Sequence, residues 1–165
     1  MGSGKTTIGT FLKKKLKRTA VLSTSMIKSF VSDYERGERD YQLTASILKD
    51  LCESYLRQGI NVVLVQAFWK MEFIHPYIEM AQQLGITFSL YQLEGPIPLL
   101  IERVKERVET TGDQNIVAEE AILENFKKWE NGRYDLGTKI DISHFSSQEI
   151  ANKIYQDLQH EPVIN

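Results

Sequence analysis

Met1-Gly2-Ser3-Gly4-Lys5-Thr6-Thr7 opens the chain, and an apolar stripe at helical spacing, Ile8, Phe11, Leu12 and Leu16, follows at once. Glycines let backbone N–H groups curl around a polyanion, a lysine ammonium reaches its outer oxygens, and a threonine hydroxyl ligates a divalent cation. A helix starting directly behind such a turn presents its positive end to the same anion. Gly4-Lys5-Thr6 therefore reads as the end of a phosphate-binding loop. The full pattern, Gly-x-x-x-x-Gly-Lys-Thr behind a β-strand, puts its first glycine and the strand ahead of Met1.

Outward from that turn, the first helix spans about residues 5–17 and ends in the basic run Lys13-Lys14-Lys15-Leu16-Lys17-Arg18. That run is either a solvated helix end or a small anionic-polymer patch. Ala20–Ser23 is a short buried strand, and Met26, Ile27, Phe30 and Val31 mark a short helical segment. The charged stretch 32–40 reads as a loop, either a plain connector or part of a substrate cap. A helix over 41–58 stops at Gly59. Asn61–Val65 is apolar without alternation, the mark of a strand buried on both faces. Pro76 starts a helix to Leu84 that Gly85 caps, and Ile86–Leu93 is the next strand. Helices over 97–108 and 118–130, a strand Lys139–Ser143 and a last helix opened by the capping box Ser146-Ser147-Gln148-Glu149 complete the chain. Strands alternating with helices give an α/β fold with a parallel sheet. Residues 109–117, polar and containing Gly112, read as a mobile loop.

With 42% hydrophobic and 25% charged residues, the 165-residue chain is one domain, and no linker or repeat divides it. A net charge of −2 gives no general attraction to nucleic acid or anionic membrane. The lone Cys52 lies on the apolar stripe Ile47, Leu48, Leu51, Cys52, Tyr55 and reads as core. His75, His144 and His160 lack metal-ligand spacing. No apolar run is long enough for a membrane span, so the expected location is the cytoplasm.

The phosphate loop, the element order and Arg103-Val104-Lys105-Glu106-Arg107 together resemble the small P-loop kinases. That broad group includes nucleoside-monophosphate, gluconate and polynucleotide kinases and the zeta-toxin-like, AAA-type ATP-binding proteins. The resemblance implies a three-layer P-loop NTPase fold with strand order 2-3-1-4-5, strand 1 being absent from these residues. It implies ATP and Mg²⁺ as cofactors and phosphoryl transfer to a small hydroxyl- or phosphate-bearing acceptor. Gly2, Ser3, Gly4 and Lys5 would cradle the phosphates, Thr6 would hold Mg²⁺ and Thr7 would touch the α-phosphate. Leu99 to Arg107 matches the helix leading into a lid, here about 109–117, so Arg103 or Arg107 would neutralise transferring charge; the other reading makes both surface arginines paired with Glu102 and Glu106.

Two positions depart from that group. Zeta-toxin-like members carry an aspartate beyond the second strand and an arginine three residues on, where this chain has Ser25 and Lys28. An acidic residue usually ends the third strand, where this chain has Gln66. Asp33 is the nearest spare carboxylate on the substrate side, and Lys28, Arg36 and Arg39 are candidate anion contacts. Phe68 and Trp69 either stack a substrate ring or pack in the core. A second class is thus open, a catalytically weak nucleotide-binding module.

The strand order also sets an expectation about Met1. A central strand would lie between Asn61–Val65 and Ile86–Leu93, and Met1 would then be an internal residue of a longer chain. The alternative has those two strands pairing with each other in a four-stranded sheet.

Overall fold

The computed structural model describes residues 2–35, 37–68, 70–111, 119–131 and 137–160. Helix α1 (Lys5–Lys15) buries Ile8, Gly9 and Leu12 and ends in Lys13, Lys14 and Lys15, where cations complement the helix dipole. Strand β1 (Thr19–Ser23) runs into α2 (Thr24–Lys28), whose first turn is capped by Ser23 Oγ accepting from Met26 N–H at 3.2 Å. Helix α3 (Glu38–Arg57) starts earlier than the charged stretch suggested, because Gly37 takes the N-cap and Glu38 and Asp40 put carboxylates in the first turn.

Strand β2 (Asn61–Val65) leads through a 3₁₀ turn, Met71–Phe73, to α4 (His75–Leu84). Pro76 sits in the first turn of α4 and Gly85 ends it in the left-handed conformation, φ 63°. Strand β3 (Tyr91–Glu94) is shorter than the apolar run Ile86–Leu93, because β4 (Thr138–Asp141) reaches only Tyr91–Glu94. Helix α5 (Ile97–Thr111) takes in residues 109–111 of the expected loop, and 112–117 lie outside the described residues. Helices α6 (Glu119–Asn131) and α7 (Ser147–His160) complete the order. The expected capping box opens α7: Ser146 N–H donates to Glu149 Oε2 at 2.8 Å, and Glu149 N–H returns to Ser146 Oγ at 3.2 Å.

The strands form two parallel pairs, as the sequence pattern requires. Thr19 faces Asn61 and Ser23 faces Val65 in one; Tyr91 faces Thr138 and Glu94 faces Asp141 in the other. These are separate two-stranded sheets, β1–β2 and β3–β4, so the pairing of Asn61–Val65 with Ile86–Leu93 into a four-stranded sheet does not occur. Helix α1 bridges the pairs: Ile8 and Leu12 share one cluster with Val63 of β2 and with Tyr91 and Leu93 of β3. Leu100, Ile140, Ile142, Ile150, Ala151 and Ile154 complete that cluster. A second core, Leu22, Ile27, Leu48, Cys52 and Met80, lies between the other face of β1–β2 and helices α2, α3 and α4. Strand β2 is therefore covered on both faces. Yet Val62, Val63, Leu64 and Val65 are only half-buried, since a cavity of about 3220 Å³ opens along β2 and β3.

Candidate phosphate-binding site

The glycine turn has the backbone that its sequence demands. Gly2 (φ 74°) and Gly4 (φ 79°, ψ 6°) both lie in the left-handed region that L side chains avoid. A Cβ on Gly4 would meet Ser147 Oγ at 2.8 Å, and one on Gly2 would collide with the Leu100 carbonyl. Glycine is thus needed here for conformation and for space. Gly4 is also the N-cap of α1, with no side chain bonded over the helix start. Its carbonyl accepts from Ile8 N–H at 2.9 Å, which leaves the amides of Lys5, Thr6 and Thr7 ahead of the helical ladder.

Lys5 Nζ donates to the buried Ser3 Oγ at 2.9 Å, so the ammonium folds back over the turn. Burial, and then the Arg107 guanidinium, hold Lys5 below the ordinary lysine range. Two cations converging on a glycine turn repel each other, and a polyanion between them would relieve both. Thr6 and Thr7 are exposed and line the same cavity as the glycine turn.

The arginines have different surroundings. Arg107 is electrostatically coupled to Lys5, while Arg103 Nη2 donates to the Ile142 carbonyl at 3.2 Å and ties α5 to the end of β4. Both line the cavity in which Gly2 to Thr7 sit. Gln66, just past β2, accepts from Thr24 Oγ1 at 2.5 Å across the ends of β1 and β2. Ser25 is exposed with its hydroxyl 3.1 Å from Ser23 Oγ. Asp33 is exposed and is not among the cavity-lining residues. Arg36 and Trp69 lie outside the described residues, and Phe68 packs edge-on against Tyr77, centroids 5.8 Å apart.

Sequence reasoning missed a cluster around Lys28. Its ammonium lies 5.1 Å from the Tyr34 ring and 4.6 Å from the Tyr41 ring, and the two rings meet edge to face. Thr44, buried, donates to Tyr34 Oη at 3.3 Å and fixes that ring from α3. The spacing of Lys28, Tyr34 and Tyr41 follows no element period, which hides it from a periodicity reading. Ser147 against Gly4, and Asp141 at the end of β4 in the same cavity, were missed for the same reason. Asp141 accepts from Ser143 N–H at 2.8 Å, and hydrogen bonds from Ser143 hold its carboxyl below the usual range.

The geometry suits a polyphosphate: a cradle that any Cβ would fill, amides ahead of the helical ladder, and two cations. Among the described residues no group of three or more His, Cys, Asp or Glu side chains is arranged to hold a metal ion. Mg²⁺ at this turn would depend on Thr6 and on the phosphates it accompanies.

Comparison with known proteins bears on the family and the fold. A family model described as "AAA domain" matches residues 1–130. No curated protein sequence matches the chain. Among solved structures, a sugar kinase from Janibacter superposes with a TM-score of 0.67 at 14% identity, covering 99% of this chain and 93% of that one. The shikimate kinase of Acinetobacter baumannii, solved with shikimate, gives 0.59 at 20% identity, covering 96% and 88%. The Deinococcus radiodurans tunicamycin resistance protein gives 0.64 at 15% identity, covering 95% and 90%. At these identities the likeness is one of fold, that of the P-loop kinases.

Proposed function

Because this chain belongs to the AAA domain family, we propose that it is an ATP-binding phosphotransferase acting on a small hydroxyl- or phosphate-bearing acceptor. The observation that carries the reading is the turn ahead of α1, where Gly2 and Gly4 lie in the left-handed region and the Lys5 ammonium folds back onto Ser3. Backbone amides of Lys5, Thr6 and Thr7 would bind phosphate oxygens, Lys5 would hold the outer phosphates, and Thr6 would hold Mg²⁺. Arg107 would neutralise charge as the phosphoryl group moves, and Arg103 would keep α5 seated on β4 so that Arg107 points inward. Mg²⁺ bound with the nucleotide supplies further charge neutralisation. On the acceptor side would stand Ser25, Lys28 and Gln66, which line the cavity, whereas Asp33 does not. No helix among the described residues is long and apolar enough to cross a membrane. The setting we propose is the cytoplasm.

One observation favours the second reading, a nucleotide-binding module with weak catalysis. The position past β2 holds a neutral Gln66 already engaged by Thr24, and Asp33 lies off the cavity. A lost base need not abolish phosphoryl transfer, which depends chiefly on positioning and charge.

Two measurements decide. At ATP·Mg²⁺ about a hundredfold above its Kd, binding stabilises the fold by roughly 2.7 kcal/mol, and Lys5→Met erases most of that melting shift. An unchanged shift in the variant overturns the phosphate-loop reading. Incubation with ATP, Mg²⁺ and a panel of sugars, nucleotides and 5′-hydroxyl oligonucleotides yields a labelled acceptor if the protein is a kinase. Melting protection with no labelled acceptor from any class favours the binding module.

A further inference from the structure

Charge in this chain is segregated. Residues 1–32 carry seven cations and no carboxylate, whereas residues 33–165 hold the other 13 Lys and Arg and all 22 Asp and Glu, a net charge of −9. Five of the seven, Lys13, Lys14, Lys15, Lys17 and Arg18, lie at the far end of α1 from the glycine turn, and all five are exposed. Among the described residues none of them makes an ion pair. The helix dipole accounts for a cation or two there, but not for Lys17 and Arg18, which lie beyond the C-cap Leu16. Nor do they serve the phosphate cradle. None lines the cavity that holds Gly2 to Thr7, and the 11 residues of α1, at ~1.5 Å each, stand between.

The band is held in place by its neighbours. Successive helical residues turn by about 100°, so Lys13, Lys14 and Lys15 spread over half of the helix circumference. Lys14 Nζ lies 5.7 Å from the Phe11 ring centroid, and Lys15 Nζ lies 5.5 Å from that of Tyr155 in α7. Lys13 and Arg18 line a hollow of about 330 Å³ together with Ala20, Tyr55 and Ile60. Arg18 has a left-handed backbone, φ 45°, which side chains seldom adopt. Hydrogen bonds fix it: Asn61 N–H donates to the Arg18 carbonyl at 2.9 Å, and Asn61 Nδ2 and Thr19 Oγ1 each donate to the Lys17 carbonyl at 3.0 Å. An anionic membrane would hold such a run durably only with an apolar anchor, and Phe11, Tyr55 and Tyr155 are all half-buried. A nucleic-acid duplex keeps its rings stacked inside, which leaves the hollow unmet. A single strand alternates anions with free flat rings, the two things this surface accepts. We propose that the band is a docking surface for single-stranded nucleic acid, with phosphates on the five cations and one unstacked base in the hollow against Tyr55.

The test is fluorescence anisotropy of the whole chain with labelled single strands of about twenty nucleotides, one DNA and one RNA, beside a duplex of the same length. With the five cations engaged, log affinity falls with log salt at a slope of about −3.5. Replacing Lys13, Lys14 and Lys15 together by Gln makes that slope shallower by about 2 and weakens binding in dilute salt at least tenfold. Tyr55→Leu, which keeps an apolar side chain, weakens binding about fivefold or more with the slope unchanged. Urea unfolding checks that the variants fold; should the triple variant fail, Lys17→Gln with Arg18→Gln gives the same reading through a slope change of about 1.4. Binding of neither single strand, a slope that the Gln variants leave unchanged, or a duplex held as tightly as the strands overturns the proposal. So does an unchanged affinity in Tyr55→Leu, which makes the band a plain polyanion patch. Tighter binding to vesicles of phosphatidylserine and phosphatidylcholine than to either strand also overturns it, and makes the partner a membrane.

Discussion

Lys5 is the residue on which the site's electrostatics turn. Its ammonium is disfavoured by burial and then by Arg107, so its folded-state pKa lies below the 10.5 of an unperturbed lysine. The unfolded chain therefore binds the extra proton over the window between the lowered value and 10.5, and stability rises with pH across it. A bound polyphosphate reverses the balance by favouring the charged lysine. ATP binding within that window is thus expected to take up protons. Calorimetric titration in two buffers of different ionisation enthalpy measures the uptake, and Lys5→Met removes it. An uptake unchanged in Lys5→Met assigns the proton to another group. The loop itself was legible because Gly4, Lys5 and Thr6 are adjacent in sequence. The choice between Arg103 and Arg107 was not, since four-residue spacing puts both on one helix face. Their surroundings differ, since Arg103 donates to the Ile142 carbonyl while Arg107 is electrostatically coupled to Lys5. Asp33 lies off the cavity because the segment after α2 brings Tyr34 to Lys28 instead.

Helix α1 approaches the β1–β2 sheet closely because Gly9 faces it. A Cβ at position 9 would stand 2.7 Å from Val65 Cγ2 and 3.1 Å from Val21 Cγ1, both on stiff, β-branched side chains. Gly9→Val is expected to cost about 1–3 kcal/mol by overpacking. Gly9→Ala costs less, since the helix-propensity gain of up to ~1 kcal/mol offsets part of the clash. Urea unfolding of the two variants checks the order, and equal stability of Gly9→Val and the parent protein would show that α1 can lift freely. Most elements could be read from local signals of this kind: Pro76 and Gly85 bracket α4, and Ser146 with Glu149 opens α7. The misread boundaries were those set by distant partners. Ile86–Leu90 has strand composition, but β4 ends the ladder at Tyr91. Glu38–Asp40 has loop composition, but a helix takes it up once Gly37 caps the turn.

At the scale of the molecule, the two sheets share no ladder among the described residues, so their association rests on helices. Helices α1 and α7 pack along each other, and Ile8, Leu12, Ile150, Ala151 and Ile154 form one cluster with Ile140 and Ile142 at β4, with Leu93 and Val63 against it. The core around Leu48 and Cys52 belongs to the β1–β2 half alone. Burial pushes the Cys52 thiol up to about 11, so it stays protonated and slow to alkylate until that half opens. Truncating Ile154, 4% exposed, leaves a cavity in the shared layer and is expected to cost about 2–5 kcal/mol. The loss should be uneven. The β3–β4 half depends on the shared layer, whereas the β1–β2 half keeps its second core. In Ile154→Ala, amides of Leu93 and Ile140 are expected to exchange faster than in the parent protein, while those around Leu48 and the alkylation of Cys52 change little. Hydrogen exchange followed by site, with thiol labelling in parallel, makes the comparison. Equal acceleration in both halves would mean that α1 and α7 bind the sheets into one cooperative unit despite the missing ladder between them.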